Sequence, residues 1–139
     1  MNAYLLDTDM LSLFQKGHPG VSQRCAAVAP QSLSISVITV EEQFLGWYTR
    51  SRQAKTDAEL AQASEGMAAF ARLIRQLPIL AFTVPAIQRY RQLTKMKLNV
   101  GKNDLRIAAI ALEAGATVVT RNLRDFGRVP NLQLEDWSQ

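Results

Sequence analysis

A chain of 139 residues is long enough for one domain whose core needs neither disulfide nor metal to hold it. Apolar residues make up 47% and charged residues 20%, the balance of a globular protein, so the sequence predicts a single domain over residues 1–139. One cysteine, Cys25, excludes an internal disulfide framework and a Cys-rich zinc site. One histidine, His18, argues against a His-pair acid/base nuclease, and a Ser-His-Asp triad could rest only on it. Chemistry, if present, falls to carboxylates. No apolar run approaches the ~20 residues of a membrane span, and no basic-then-apolar leader opens the chain, which predicts a cytoplasmic protein without membrane association.

Taken in chain order, Ala3 to Leu6 is an apolar run ending at Asp7 and reads as a buried strand. Thr8 or Asp9 caps a short helix through Lys16, which His18-Pro19-Gly20 breaks; Val21 to Val28 suggests another. Leu33 to Val37 is strand-like and leads into a helix from about Thr39 to Arg50. Thr56-Asp57-Ala58-Glu59 is a capping-box signature, and Ala63, Met67, Phe70, Ile74 and Leu77 then keep the helical period on one face. Pro78 ends that helix, Ile79 to Phe82 reads as a third strand, and Thr83 with Pro85 opens a helix reaching about Leu98. Asn103 is suited to cap a helix over Asp104 to Ala114, with Gly115 just past its end. Thr117 to Thr120 makes a fourth strand and Leu132 to Leu134 a fifth. Buried strands alternating with helices predict an α/β protein with a parallel sheet covered on both faces, its function at the carboxyl ends of the strands.

The acids fall at that edge. Asp7 follows the first strand, Glu41 and Glu42 open the helix after the second, Asp104 starts the helix before the fourth, and Asp125 lies beyond the fourth. Each has an ordinary explanation as a cap, a turn residue or a solvated first-turn acid. Their joint placement gathers like charges that repel unless protonated or neutralised. A divalent cation resolves this, and an all-oxygen site selects Mg²⁺ or Mn²⁺ over zinc. Such ions activate water against a phosphodiester. The net charge of +4 leans toward an anionic partner. Between Glu65 and Asp104 there is no acid, while Arg72, Arg75, Arg89, Arg91, Lys95, Lys97 and Lys102 all fall there. That interval is either a solvated helix face or a surface that tracks phosphates.

Four stretches carry a resemblance: Tyr4-Leu-Leu-Asp-Thr-Asp9, Ser36-Val-Ile-Thr-Val-Glu-Glu42, Gly101-Lys-Asn-Asp-Leu-Arg-Ile-Ala-Ala109 and Val119-Thr-Arg-Asn-Leu-Arg-Asp-Phe126. In order and spacing they resemble the PIN-domain family, specifically the VapC-like toxins of bacterial toxin–antitoxin pairs, over nearly the whole chain. The resemblance implies a three-layer α/β/α fold with a short, mostly parallel sheet. It implies a Mg²⁺- or Mn²⁺-dependent endoribonuclease, a homodimer, and a cognate antitoxin that silences it. Asp7, Glu42 and Asp104 match the family's acidic positions, with Asp7 and Asp104 as metal ligands. The fourth position varies in the family: Asn122 stands at one possible place and Asp125 at the other, which makes Asp125 the fourth catalytic candidate, with Asn122 in support. Thr120 matches a supporting hydroxyl, and Asp9 departs from the usual Asn. Arg89, Arg91, Lys95, Lys97, Lys102 and Arg121 are the candidate RNA contacts. The helical pair from about Thr39 to Leu77 looks like the family's clip, with Phe44, Trp47 and Tyr48 suited either to a partner interface or to the core. The alternatives are a PIN-like nuclease that is no toxin, or an inactive PIN-like scaffold that binds RNA. A receiver domain would want an acid after the third strand, where Phe82-Thr83-Val84 stands.

Overall fold

Short, mostly apolar runs between helices form the strands of a parallel sheet, the central ones buried on both faces. The computed structural model describes residues 3–139 and contains five of them: β1 (Tyr4–Leu6), β2 (Leu33–Ser36), β3 (Ile79–Leu80), β4 (Thr117–Val119) and β5 (Leu134–Glu135). They pair in parallel in the order β3-β2-β1-β4-β5. The helices between them are α1 (Thr8–Gln15), α2 (Pro19–Ala27), α3 (Val37–Gln53), α4 (Asp57–Ile74), α5 (Val84–Lys95), α6 (Lys102–Ala114) and α7 (Leu123–Phe126).

Successive strand residues point to opposite faces, and the two cores divide accordingly. Leu5 and Val118 join a core built with α5 and α6, through Ala86, Leu93, Ile107 and Ala111. Leu6 and Val119 join the other, with Met10 and Leu11 of α1, Val21 of α2 and Phe70 of α4. The result is a three-layer α/β/α protein. The chain runs outward from β1 to β2 to β3, then returns through α5 and α6 to place β4 on the other side of β1. The strand order therefore reverses between β1 and β4, the point where open α/β sheets bind their ligands.

Several local expectations are corrected. The cap of α1 is Asp7, whose Oδ1 accepts from the Met10 N–H at 2.8 Å, rather than Thr8 or Asp9. His18 does more than break a helix: its Nδ1 accepts from the Val21 N–H at 3.2 Å and caps α2, which starts at Pro19. Gly101 precedes α6 without a side-chain cap, because Asn103 lies inside the first turn with its amide turned elsewhere. Helix α5 stops at Lys95 rather than about Leu98, since Lys97 (φ 53°) and Asn99 (φ 59°) are left-handed and cannot continue it. The fifth strand begins at Leu134, where Leu132 was the expected start. Gly115, with φ 67°, ends α6 as expected.

The helical pair α3–α4 is present, opened on the α4 side by the Thr56 hydroxyl accepting from the Glu59 N–H at 3.1 Å. Within the pair, Phe44 meets Phe70 edge-on at 4.9 Å. Trp47 lies against Gly66, where an added Cβ would come within 2.3 Å of its ring. Both aromatics are thus engaged in packing, whereas Tyr48 is 54% exposed.

Candidate active site

The carboxyl ends of β1 and β4 lie side by side, because Leu6 pairs with Val119. Each strand hands on one polar residue there. Asp7, 6% exposed, spends Oδ1 on the cap of α1 and receives on Oδ2 a 2.6 Å hydrogen bond from the Thr120 hydroxyl. Thr120 is itself fully buried and accepts from the Asn122 N–H at 2.8 Å. Burial pushes the Asp7 carboxyl up to about 6, with the charges of Asp9 and Asp104 adding to it against those two hydrogen bonds.

Glu42 enters from the first turns of α3, held on both oxygens. Oε1 accepts from the Thr8 hydroxyl at 2.6 Å, and Oε2 accepts from the Asn103 side-chain amide at 3.3 Å. Thr8 lies 3.0 Å from Thr39 Oγ1, so two hydroxyls back this carboxylate. Asp104 enters from the first turn of α6. Burial raises its pKa, and the charges of Glu42 and Asp125 raise it further; a hydrogen bond from the Asn122 side chain works the other way.

An open cleft at this edge is lined by Asp7, Thr8, Asp9, Ser12, Glu42, Asp104, Arg121 and Asn122. The three principal acids expected from the sequence thus share one cavity. Asp125 does not line it. That residue sits behind, accepting from the Asn122 amide at 3.1 Å and paired with Arg128 at 3.1 Å. At the rim, Asp9 holds Arg121 through both oxygens, at 2.7 and 3.0 Å. Among the described residues, no group of three or more Asp, Glu, His or Cys side chains closes into a cage for a cation. Cys25 is buried away from the cleft, and burial pushes its thiol up to about 11, which leaves it unreactive.

The expected RNA contacts are spread more widely. Arg89 is paired with Glu113 at 2.8 Å. Arg91, Lys95 and Lys102 line a second groove between α5 and α6, and Lys97 lies beside its continuation. Sequence reasoning missed Thr8, Asn103, Arg106 and Arg128. Thr8 and Asn103 stand next to Asp7 and Asp104, and that adjacency was the available signal.

The parallel sheet, its flanking helices and the acidic cleft at its switch point define a protein of the PIN-like α/β/α class. No protein-family model matches the sequence. Among curated relatives, the tRNA(fMet)-specific endonuclease VapC of Salmonella typhimurium (strain LT2) is 30% identical over 142 residues, covering 99% of each chain. Ribonuclease VapC2 of Rickettsia felis is 28% identical over 142 residues, covering 98% of each. Among solved structures, DNA-bound VapBC from Salmonella typhimurium has a TM-score of 0.80 at 27% identity, covering 99% of each chain. VapBC-1 from nontypeable Haemophilus influenzae has a TM-score of 0.79 at 26% identity, again covering 99% of each. The chain belongs to the VapC family of ribonucleases, the toxins of VapBC toxin–antitoxin systems.

Proposed function

We propose that this chain is the endoribonuclease toxin of a toxin–antitoxin pair, cutting RNA with a Mg²⁺ or Mn²⁺ ion held by Asp7 and Asp104. One observation carries the reading: a buried carboxylate at the sheet's switch point, raised to about 6, shares a cleft with Glu42 and Asp104. Acids crowded this way repel each other, and a cation relieves them. The donor set is all oxygen, which fits a hard ion. Mg²⁺ commonly takes only one or two carboxylates and keeps several waters, so an open pair of ligands is sufficient. When bound, the ion would lower the pKa of water and offset the charge that develops on the leaving oxygen.

The protein's own side chains do the rest. Thr120 fixes Asp7 by donating to Oδ2, so its remaining lone pairs face the cleft in one orientation. Thr8 and Asn103 fix Glu42, which is partly exposed, and in this reading Glu42 accepts a proton from the attacking water. Asn122 bridges Asp104 and Asp125, and Asp125 supports the site from behind. Attack by water on phosphorus with the 3′-oxygen as leaving group, the direction the family resemblance implies, would break the P–O3′ bond and leave a 5′-phosphate and, once that oxygen is protonated, a 3′-hydroxyl.

A cognate antitoxin is the proposed partner, because the structural neighbours are VapBC complexes. A homodimer is proposed as well, and Leu45 (64% exposed), Tyr48 (54%) and Val84 (66%) are apolar side chains that such contacts would cover. The test is cleavage of total RNA with Mg²⁺, Mn²⁺ or EDTA, run beside Asp7→Asn and Asp104→Asn. Transfer RNA(fMet) is the first defined substrate to try, since two relatives are named for it. Metal-independent cleavage, or undiminished cleavage by Asp104→Asn, would overturn the reading. Co-expression with the neighbouring open reading frame should restore growth that this chain alone arrests.

A further inference from the structure

Helix α6 separates two concave surfaces. Asp104 faces the acidic cleft. Lys102 and Arg106, two residues to either side of it, line a groove on the flank toward α5 with Phe82, Tyr90, Arg91 and Lys95. Residues two apart on a helix point about 200° apart, while residues four apart share a face, so one short turn serves both surfaces. No acidic residue among those described lines the groove. Arg91, Lys95 and Lys102 are exposed there.

The groove also carries aromatic surface. Phe82 and Tyr90 meet edge-on at 5.8 Å, and the Arg106 guanidinium lies 5.4 Å from the centre of the Tyr90 ring. Arg106 donates through one terminal nitrogen to Asn103 Oδ1 at 3.0 Å, while its buried Nε–H has no acceptor. Asn103 in turn donates to Glu42. A continuous path therefore leads from the groove, over Asn103, to the acids.

We propose that this groove is a single-stranded RNA subsite, holding an unstacked base against Tyr90 and Arg106 and the flanking phosphates on Arg91, Lys95 and Lys102. Cations interleaved with a ring and a guanidinium plane are what unpaired nucleotides require: charge along the backbone and a flat surface for the base. The subsite rests on the ribonuclease reading for its direction, since it would position the nucleotide next to the one cut. It does not rest on the cation.

Binding of a fluorescein-labelled random-sequence RNA hexamer is measured by anisotropy in EDTA. Arg91→Ala with Lys95→Ala removes exposed charge and should leave the fold intact; it should weaken binding and flatten the salt dependence by about 1.4 log units per decade, two phosphate contacts' worth. Tyr90→Leu, which keeps apolar volume but loses the ring, should weaken binding by about 5- to 150-fold. The control Arg52→Ala with Lys55→Ala removes equal charge elsewhere and should bind like wild type. Unchanged hexamer binding by the Arg91/Lys95 variant, an equal loss in the control, or displacement of RNA by a hexaglutamate peptide at similar concentration would each overturn the subsite. Cleavage of total RNA by the wild type separates the two readings. Groove-dependent binding without metal-dependent cleavage keeps the subsite and removes the nuclease; cleavage with groove-independent binding does the reverse.

Discussion

Asp7 and Thr120, 113 residues apart in the chain, share a 2.6 Å hydrogen bond between the ends of adjacent strands. The threonine stands on the Asn122 N–H, so its hydroxyl proton has one direction left, toward Asp7 Oδ2. A bond of this kind both orients a ligand and favours its charged form.

Thr120→Val keeps the shape and deletes the hydroxyl. Asp7 Oδ2 then loses its donor inside a buried site, and its pKa should rise above about 6. If Asp7 holds the cation, Mn²⁺ affinity should fall by a factor of about 10 to 100, the usual effect of losing an outer-shell partner. Titration of Mn²⁺ by calorimetry, with cleavage in parallel, checks both. Unchanged Mn²⁺ affinity would separate Asp7 from the metal.

The raised Asp7 pKa also sets a pH dependence for the metal-free protein. The folded carboxyl binds its proton more tightly than the unfolded one, whose value is 3.8, against about 6 when folded. Below about pH 4 both states hold the proton and Asp7 contributes nothing to the difference. Between about pH 4 and 6 the unfolded state has released the proton that the folded state still holds, so stability falls across that window, by up to about 3 kcal/mol from this group, and levels off above it. Asp104 shifts the same way. Asp7→Asn should therefore raise Tm at pH 7 to 8 in EDTA and flatten its decline between pH 4 and 6. Melting curves across that range decide it; parallel curves for the two proteins would contradict the buried charge.

The alternation of strand and helix is legible in the sequence because buried parallel strands read as continuous apolar runs, as in Tyr4–Leu6 and Thr117–Val119. The edge that collects Asp7, Asp104 and the adjacent Glu41 and Glu42 follows from that alternation, since each sits where a strand ends or a helix begins, while the choice of Glu42 comes from the family resemblance. What periodicity does not encode is the partner of each polar group. Asn103 has the composition of a cap, yet its amide joins Glu42 to Arg106 across two elements. Asp125 has the spacing of a site acid, yet its carboxylate pairs with Arg128 and accepts from Asn122 rather than lining the cleft. Those choices depend on side-chain directions set by tertiary packing.

The contrast between Asp104 and Asp125 is measurable. Asp104 lines the cleft, whereas Asp125 is outside it with its charge shared by Arg128, which also donates to the Asn99 carbonyl at 2.8 Å. Asp125→Asn should lower cleavage far less than Asp104→Asn. Asn122→Ala, which releases Asp104 and Asp125 together, should fall between them. Equal losses for the two Asp→Asn variants would place Asp125 among the direct ligands instead.

At Asp9 this chain departs from the Asn that the resembling family usually carries. Its two-pronged pair with Arg121 joins side chains that are each about half exposed, 52% and 50%. Ion pairs this open to water contribute little, so neither residue should matter much to stability. Their effect is on the charge at the rim of the cleft. With Asp9 present, Arg121 is occupied and the rim is neutral. Asp9→Asn removes an acid and frees the guanidinium, so RNA should bind more tightly, with a salt slope steeper by about 0.7 log unit per decade for one added phosphate contact. Arg121→Ala does the opposite: Asp9 is left uncompensated beside the other acids, and RNA binding should weaken while Mn²⁺ binding strengthens. Anisotropy with an RNA hexamer and calorimetry with Mn²⁺ read the two arms. If both substitutions shift RNA affinity in the same direction, the ion pair is not what sets the charge of the rim.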